Sequence, residues 1–204
     1  QRVACAGNQY AFHAEIIRAP RNLVVPIPDA LGFEAASTVT LGAIALQGVR
    51  RLTPTLGETF AVIGLGILGQ LTAQILRANG CKVIGLDTDA ARSQLAVDSG
   101  MDCAIDPGDA NAVKAAMRLT GGIGMDGVIV TAATPSDEVI STAFQMCRSK
   151  GRVVLVGDVG LDLQRADIYA KELDFLVSTS YGPGRYDASY EEDGHDYPIG
   201  YVRW

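Results

Sequence analysis

The chain has 204 residues, 48% of them hydrophobic, which is enough for one full α/β domain with extra segments and excludes a disordered chain. Its 17 basic and 23 acidic residues give a formal net charge of −6, and the basic residues are scattered. This argues against nonspecific binding to nucleic acid or to anionic membranes and leaves small molecules as the expected partners.

Residues 1–30 read as a β-rich unit of short strands, Val3–Cys5, Ala11–Ile17 and Leu23–Val25, separated by turn residues. Asp29 precedes a long helix expected from Phe33 to Arg51. Its Ala36, Val39, Ala43 and Leu46 share one face, so residues 31–55 form a connecting helix. The turn signal Leu56-Gly57-Glu58 then introduces a buried strand, Thr59–Ile63.

The next six residues, GLGILG from Gly64 to Gly69, are the most informative in the chain. They follow a strand and open a helix, in which Leu68, Leu71, Ile75 and Leu76 share a side and Asn79-Gly80 is the stop. A second strand, Lys82–Leu86, ends on Asp87, 18 residues beyond Gly69. In a dinucleotide-binding turn Gly64 permits the tight bend, Gly66 lets the backbone approach a diphosphate, and Gly69 lets helix and strand lie close. N–H groups near Ile67 and Leu68 would face the anion. Asp87 would accept hydrogen bonds from the adenosine ribose and repel the 2′-phosphate of NADP, so NAD is expected over NADP. The lesser alternative is that Asp87 merely caps the helix beginning near Asp89-Ala90, and both roles could coexist.

Strands and helices continue to alternate: a helix through Arg92, Leu95 and Ala96, a strand Cys103–Ile105 ending on Asp106-Pro107, and a helix Ala110–Leu119. A strand Gly127–Thr131 follows, then a helix from a Ser136 cap to Cys147, and strands Arg152–Gly157 and Leu173–Val177. The expected fold over residues 56–180 is a doubly wound, mostly parallel six-stranded sheet. The apolar edge of the sixth strand could pair two copies. Cysteines 5, 81, 103 and 147 form no C-x-x-C pair and read as core thiols, not as a disulfide framework or a zinc site. No run reaches about 18 apolar residues and no leader pattern is visible, so the expected location is the cytoplasm. The start on Gln1 without methionine and the end on Trp204 without a polar tail read as a fragment.

The succession HAEI, NLVVPIP, EAASTVTLGAIALQGVR and GLGILG resembles the medium-chain dehydrogenase/reductase superfamily, the zinc-type alcohol dehydrogenases and their relatives, over roughly residues 1–180. The resemblance implies that residues 1–30 are the last strands of a GroES-like catalytic domain and that the following sheet is an NAD-binding Rossmann domain. It also implies that Arg92 lies at the adenine edge, and that Thr131, Ala132, Gly157 and Asp158 lie along the nicotinamide side. Zinc-dependent members carry a metal-ligating cysteine or acid in the long helix, and Thr40 takes that place here, so zinc is not supported. His13 reads as structural, and His195, in a polar loop, is no better a ligand. Residues 181–204, which hold five of the seven tyrosines, resemble bi-domain oxidoreductases fused to a partner of the glucose-fructose oxidoreductase kind. Read plainly they are a turn-rich cover for the sheet edge, with Glu191, Glu192, Asp193 and Asp196 solvated.

Two functions stay open. One is an oxidoreductase passing hydride between a nicotinamide cofactor and a small hydroxyl or carbonyl substrate, with no catalytic acid or base named and this fragment inactive alone. The other is a non-catalytic dinucleotide-binding module, sensor or scaffold. S-adenosylmethionine binding would favour an acidic residue before the first glycine, where Val62-Ile63 stand.

Overall fold

The computed structural model describes residues 1–105 and 111–197, and begins with a two-stranded antiparallel ribbon, β1 (Val3–Cys5) against β2 (Val24–Pro26). Ala11–Ile17, expected as a strand, forms turns instead, with the amides of Tyr10 and Ala11 donating to the Gly7 carbonyl. Strand backbone needs a neighbour to take its N–H and C=O groups, and among the described residues no strand pairs with this stretch. Leu23 belongs to a 3-10 turn, Arg21–Leu23, so the second strand starts one residue later than expected.

The long connecting helix is broken into α1 (Phe33–Ala36) and α2 (Val39–Leu52). Ser37 Oγ and Thr38 Oγ1 donate to the carbonyls of Glu34 and Ala35 at 2.6 and 2.8 Å, the local competition that hydroxyl side chains bring to helices. The break also changes the buried face. Ala45, Gly48, Val49 and Leu52 enter the core, not Ala36, Val39, Ala43 and Leu46 as one stripe. Val39 and Ala43 turn toward the ribbon, where with Thr40 and Cys5 they line a cavity of about 270 Å³.

The rest of the chain runs β3 (Thr59–Ile63), α3 (Ile67–Ala78), β4 (Lys82–Leu86), α4 (Ala90–Asp98), β5 (Cys103–Ile105), α5 (Ala112–Leu119) and β6 (Met125–Val130). It continues through β7 (Ala133–Thr134), α6 (Glu138–Met146), β8 (Cys147–Leu155), β9 (Asp158–Val159), α7 (Arg165–Tyr169), β10 (Asp174–Val177) and α8 (Ala188–Glu191). Six strands form one sheet in the order β10-β8-β6-β3-β4-β5 with every pairing parallel, the doubly wound α/β fold that the alternation predicts. The order reverses between β3 and β6, the two strands that continue into the loops at Gly64 and Thr131.

Side-chain alternation explains why both faces are covered. Phe60 and Val62 join Val49, Leu52, Leu76, Val83 and Ile129 in one apolar layer, while Ala61 and Ile63 join Val128, Val130, Ala116, Ile140 and Phe144 in the other. The inner face of α3 is Gly69, Thr72, Ala73 and Leu76, narrower than the expected leucine-rich side, because small residues let the helix approach the sheet.

Strand β8 begins at Cys147, five residues before the expected start. Cys147 pairs with Met125 and Arg152 with Gly127, so the intervening polar residues bulge out of the ladder, and Arg148 Nε reaches Asp126 Oδ1 at 2.7 Å. That bulge makes one strand read as two pieces. The expected helix start at Ala110 and the Asp106-Pro107 strand end lie outside the described residues. Helix α5 is capped by Asn111, whose Oδ1 accepts from the Lys114 amide at 2.8 Å. The N-cap of α6 is Asp137, not Ser136 as expected; Ser136 stands one residue earlier and its Oγ accepts from the Glu138 amide at 3.2 Å.

The segment after β10 is not a loosely solvated cover. Glu191 is largely buried and accepts from the Tyr181 hydroxyl, both its oxygens from Arg185, and one from the Tyr186 amide. Asn22 Nδ2 donates to the carbonyls of Tyr190 and His195 at 2.9 and 3.2 Å, fastening this segment to the turn before β2. Glu192, Asp193 and Asp196 are exposed as expected.

All four cysteines are free thiols. Burial pushes the Cys147 thiol up to about 12, with Lys171, Arg148 and Arg152 opposing the shift. Against an ordinary value of 9.0, the folded state keeps this proton longer than the unfolded chain. Its contribution is therefore complete below about pH 9 and is lost as pH rises toward 12. Mass-spectrometric mapping after iodoacetamide at pH 8 is expected to find Cys147 unmodified in the native protein and modified in guanidinium. Native labelling of Cys147 would contradict its placement.

Candidate dinucleotide site

The carboxyl ends of β3 and β4, the start of α3 and the loop after β6 enclose a cleft of about 650 Å³. Gly64 sits at φ +91°, where L side chains are strained, and a Cβ on it would lie 2.6 Å from the Ala132 amide nitrogen. Its amide donates to the Leu86 carbonyl at 2.8 Å, pinning the bend to β4. A Cβ on Gly69 would overlap the Gly64 carbonyl oxygen, so the third glycine sets the contact between helix and turn. Gly66 differs from both: a Cβ there would meet no atom within 4 Å, because the position opens into the cleft.

Gly66 is also the N-cap of α3 and brings no side-chain cap. Among the described residues no hydrogen bond takes the amides of Ile67 or Leu68, which leaves the positive end of the helix macrodipole facing the cleft. The cavity is therefore shaped and charged for an anionic group near Gly66, without any lysine.

Asp87 is 8% exposed and lines the same cleft. Its Oδ2 accepts from the Leu65 amide at 2.6 Å and its Oδ1 from the Asp89 amide at 2.8 Å. It is not the cap of α4; Asp89 is, accepting from the Ala91 and Arg92 amides at 2.8 and 3.4 Å. A carboxylate has about four acceptor positions, so Asp87 keeps lone pairs for a ligand hydroxyl. Arg92 lies at the cleft margin with Nε 3.5 Å from Asp89 Oδ2, an exposed pair of little energetic weight.

Of the eleven residues singled out from sequence, Gly64, Gly66, Ile67, Leu68, Asp87, Arg92, Thr131 and Ala132 line the cleft, and Gly69 stands directly behind it. Thr131 has a structural task as well, since its hydroxyl donates to the Gly64 carbonyl at 2.5 Å, with the Ile63 carbonyl 3.2 Å away. Gly157 and Asp158 are not in the cleft wall. A Cβ on Gly157 would overlap the Ala132 carbonyl oxygen, and Asp158 is exposed on β9, which pairs with β7. The residues not singled out from sequence, Ile63, Leu86, Thr88, Ala112, Ala133, Thr134 and Val139, complete the wall. Ile63, Leu86, Thr88 and Ala133 had a local signal, each standing beside a residue already singled out.

Residues 68–192 match the zinc-binding dehydrogenase family. The chain belongs to that family. It is 31% identical over 146 residues to an alcohol dehydrogenase of Geobacillus stearothermophilus, a match covering 71% of this chain and 42% of the relative. A match to the (R,R)-butanediol dehydrogenase of Neisseria gonorrhoeae is 29% identical over 171 residues and covers 82% of this chain and 48% of the relative. Among solved structures, the 2R,3R-butanediol dehydrogenase of Bacillus subtilis superposes with a TM-score of 0.71 at 28% identity, covering 79% of this chain and 46% of that one. A zinc-binding dehydrogenase of Sinorhizobium meliloti 1021 bound to NADP gives 0.72 at 28% identity, covering 81% and 49%. The chain thus spans less than half the length of each of these relatives.

The family name implies zinc, and the residues present do not fit it. Thr40 offers a neutral hydroxyl in a largely apolar cavity, a poor zinc donor. Among the described residues no group of three or more His, Cys, Asp or Glu is gathered to hold a metal ion. A nicotinamide dinucleotide does fit, by the open space at Gly66 and the two free amides beside it.

The glycines separate folding from binding. Gly69→Ala is expected to lower stability by about 2 kcal/mol or more, since the clash is with backbone. Gly66→Ala, at φ −64° with open space around it, is expected to melt within a degree or two of the parent but to lose cofactor affinity. Paired thermal melts and NADH titrations check this. Equal destabilisation by both would contradict the assigned roles.

Proposed function

We propose that this chain is the dinucleotide-binding part of an alcohol- or polyol-dehydrogenase-like oxidoreductase that uses NAD in preference to NADP. The observation that carries the proposal is the open position at Gly66, beside the unpaired amides of Ile67 and Leu68, in a cleft that Asp87 also lines. In this reading the turn from Gly64 to Gly69 holds the diphosphate through backbone N–H groups. The Asp87 carboxylate accepts from the adenosine ribose, and Arg92 flanks the adenine. Thr131 and Ala132, with Gly157 and Asp158 behind them, border the nicotinamide side. The bound nicotinamide would supply the hydride acceptor or donor for a small hydroxyl or carbonyl substrate. Protein groups orient it and exclude water from the apolar wall of Ile63, Leu86 and Val139.

The preference for NAD rests on the sign of charge at Asp87. At about 4 Å a 2′-phosphate would be repelled by on the order of 1 kcal/mol per unit charge in water, and about 4 at an effective dielectric near 20. Discrimination of roughly tenfold to several hundredfold follows. The NADP bound in the Sinorhizobium meliloti relative makes this a point to test for this chain.

Because the chain spans under half the length of the alcohol and butanediol dehydrogenases named above, we also propose that these 204 residues bind dinucleotide without turning over substrate alone. Four free cysteines support a cytoplasmic setting. The edge strand β10, with Val177 exposed, supports pairing of two copies. Thr40 in the place of the metal ligand favours one second reading, a non-catalytic dinucleotide module that senses the cofactor or supports a fused partner.

Fluorescence titration is expected to show saturable NADH binding, weaker NADPH binding, and a smaller difference between them in Asp87→Asn. Absence of binding to either nucleotide would overturn the proposal, and preference for NADPH would overturn the role of Asp87. Turnover of small alcohols by the full-length protein is expected of the dehydrogenase, and its absence with intact NADH binding would favour the sensor.

A further inference from the structure

Both main-chain polar groups of Leu65, inside the glycine turn, are held by side chains. Its N–H donates to Asp87 Oδ2 at 2.6 Å, and its carbonyl accepts from Gln70 Nε2 at 3.0 Å. The same Gln70 nitrogen lies 2.9 Å from the Arg92 carbonyl in the first turn of α4. Leu65 itself is 1% exposed, so its side chain is anchored in the core while its peptide is fixed from β4 and from α3. The Leu65 carbonyl shares its peptide plane with the Gly66 amide, and the Ile67 amide that faces the cleft follows one Cα later, so fixing this carbonyl fixes the base of the turn from which the free amides project.

The chemistry of the contact is selective. A carboxamide NH₂ can donate two hydrogen bonds without bringing charge, and both of its hydrogens are used here on carbonyls of different elements. A carboxylate at the same place would oppose two carbonyl oxygens, and a thioether would donate to neither. Gln70 does not line the cleft; it touches the main chain of one residue in the diphosphate turn and of one that borders the adenosine end.

We infer that Gln70 is a positioning residue of the dinucleotide site, which locks the distance and tilt between the glycine turn and the first turn of α4 and so tunes affinity for the adenosine-diphosphate half of the cofactor. This rests on the dinucleotide reading of the cleft. A purely structural role would be a bond between α3 and α4 that adds stability and leaves binding alone.

The test compares Gln70→Met and Gln70→Glu with the parent in the full-length protein, by fluorescence titration with NADH, displacement by ADP-ribose, and thermal melting. Gln70→Met is expected to raise the dissociation constants of NADH and ADP-ribose by roughly tenfold, about 1.4 kcal/mol, while the cofactor-free protein melts within a few degrees of the parent. Gln70→Glu is expected to lose more at pH 8, where it is ionised, and to regain part of the affinity toward pH 4, where most of the carboxyl is protonated and donates one of the two hydrogen bonds; the parent's own pH dependence is subtracted. Unchanged dissociation constants in both variants, whatever their melting temperatures, would overturn the inference, as would a loss in Gln70→Glu that does not recover at low pH. Should Gln70→Met fail to fold, the pH series of Gln70→Glu decides alone. A parent that binds neither NADH nor ADP-ribose would overturn the dinucleotide reading and this inference with it. A parent that binds both, with variants that match it, would overturn only the role of Gln70.

Discussion

Close approach of the start of α3 to the end of β3 is the constraint on which the site depends. A Cβ on Gly69 would overlap the Gly64 carbonyl, and a Cβ on Gly64 would press on Ala132. Without both glycines the helix could not begin directly over the strand, and its first amides would not face the gap where the sheet order reverses. Two side chains hold this approach from opposite sides. Thr131 closes on the Gly64 carbonyl from β6, and Asp87 closes on the Leu65 amide from β4. Gly66 stays free of such contacts, which is why the same short turn can be rigid and still leave room for a ligand.

How much of this was legible in the sequence depends on whether the determinant is local. The order of strands and helices from Thr59 to Val177 follows from apolar runs and turn residues a few positions apart, and it was readable. So was the glycine turn, since Gly64 answers to a positive φ and Gly69 to the nearby Gly64 carbonyl, both within the turn. Determinants that lie elsewhere in the chain were not readable. The early start of β8 depends on Met125 as a pairing partner, while the break at Ser37-Thr38, although local, depends on which way two hydroxyls turn. The burial of Glu191 depends on Tyr181 and Arg185 folding back on it, so a string of acidic residues that reads as solvated hides one buried acceptor.

The candidate site divides in the same way. Residues on the turn and at the strand ends were found by motif, whereas Ala112, Thr134 and Val139 reach the cleft only because α5, β7 and α6 are brought there by the sheet. Asp87 shows the limit of motif reading most clearly. Its spacing marks it as a ribose acceptor, yet the structure adds that it already orders the turn and that Asp89, not Asp87, caps α4. The zinc-binding dehydrogenase match covers residues 68–192, beyond the helix where a metal ligand would stand, so the match itself says nothing about that position.

The central claim is that backbone amides at the start of α3 receive the cofactor diphosphate. Its most direct test is an amide-resolved ¹H–¹⁵N titration with NADH and with ADP-ribose. The amides of Gly66, Ile67 and Leu68 should shift strongly and together with both ligands, while that of Leu65, already bound to Asp87, shifts little. Saturable shifts concentrated elsewhere, with these three amides unmoved, would contradict the account.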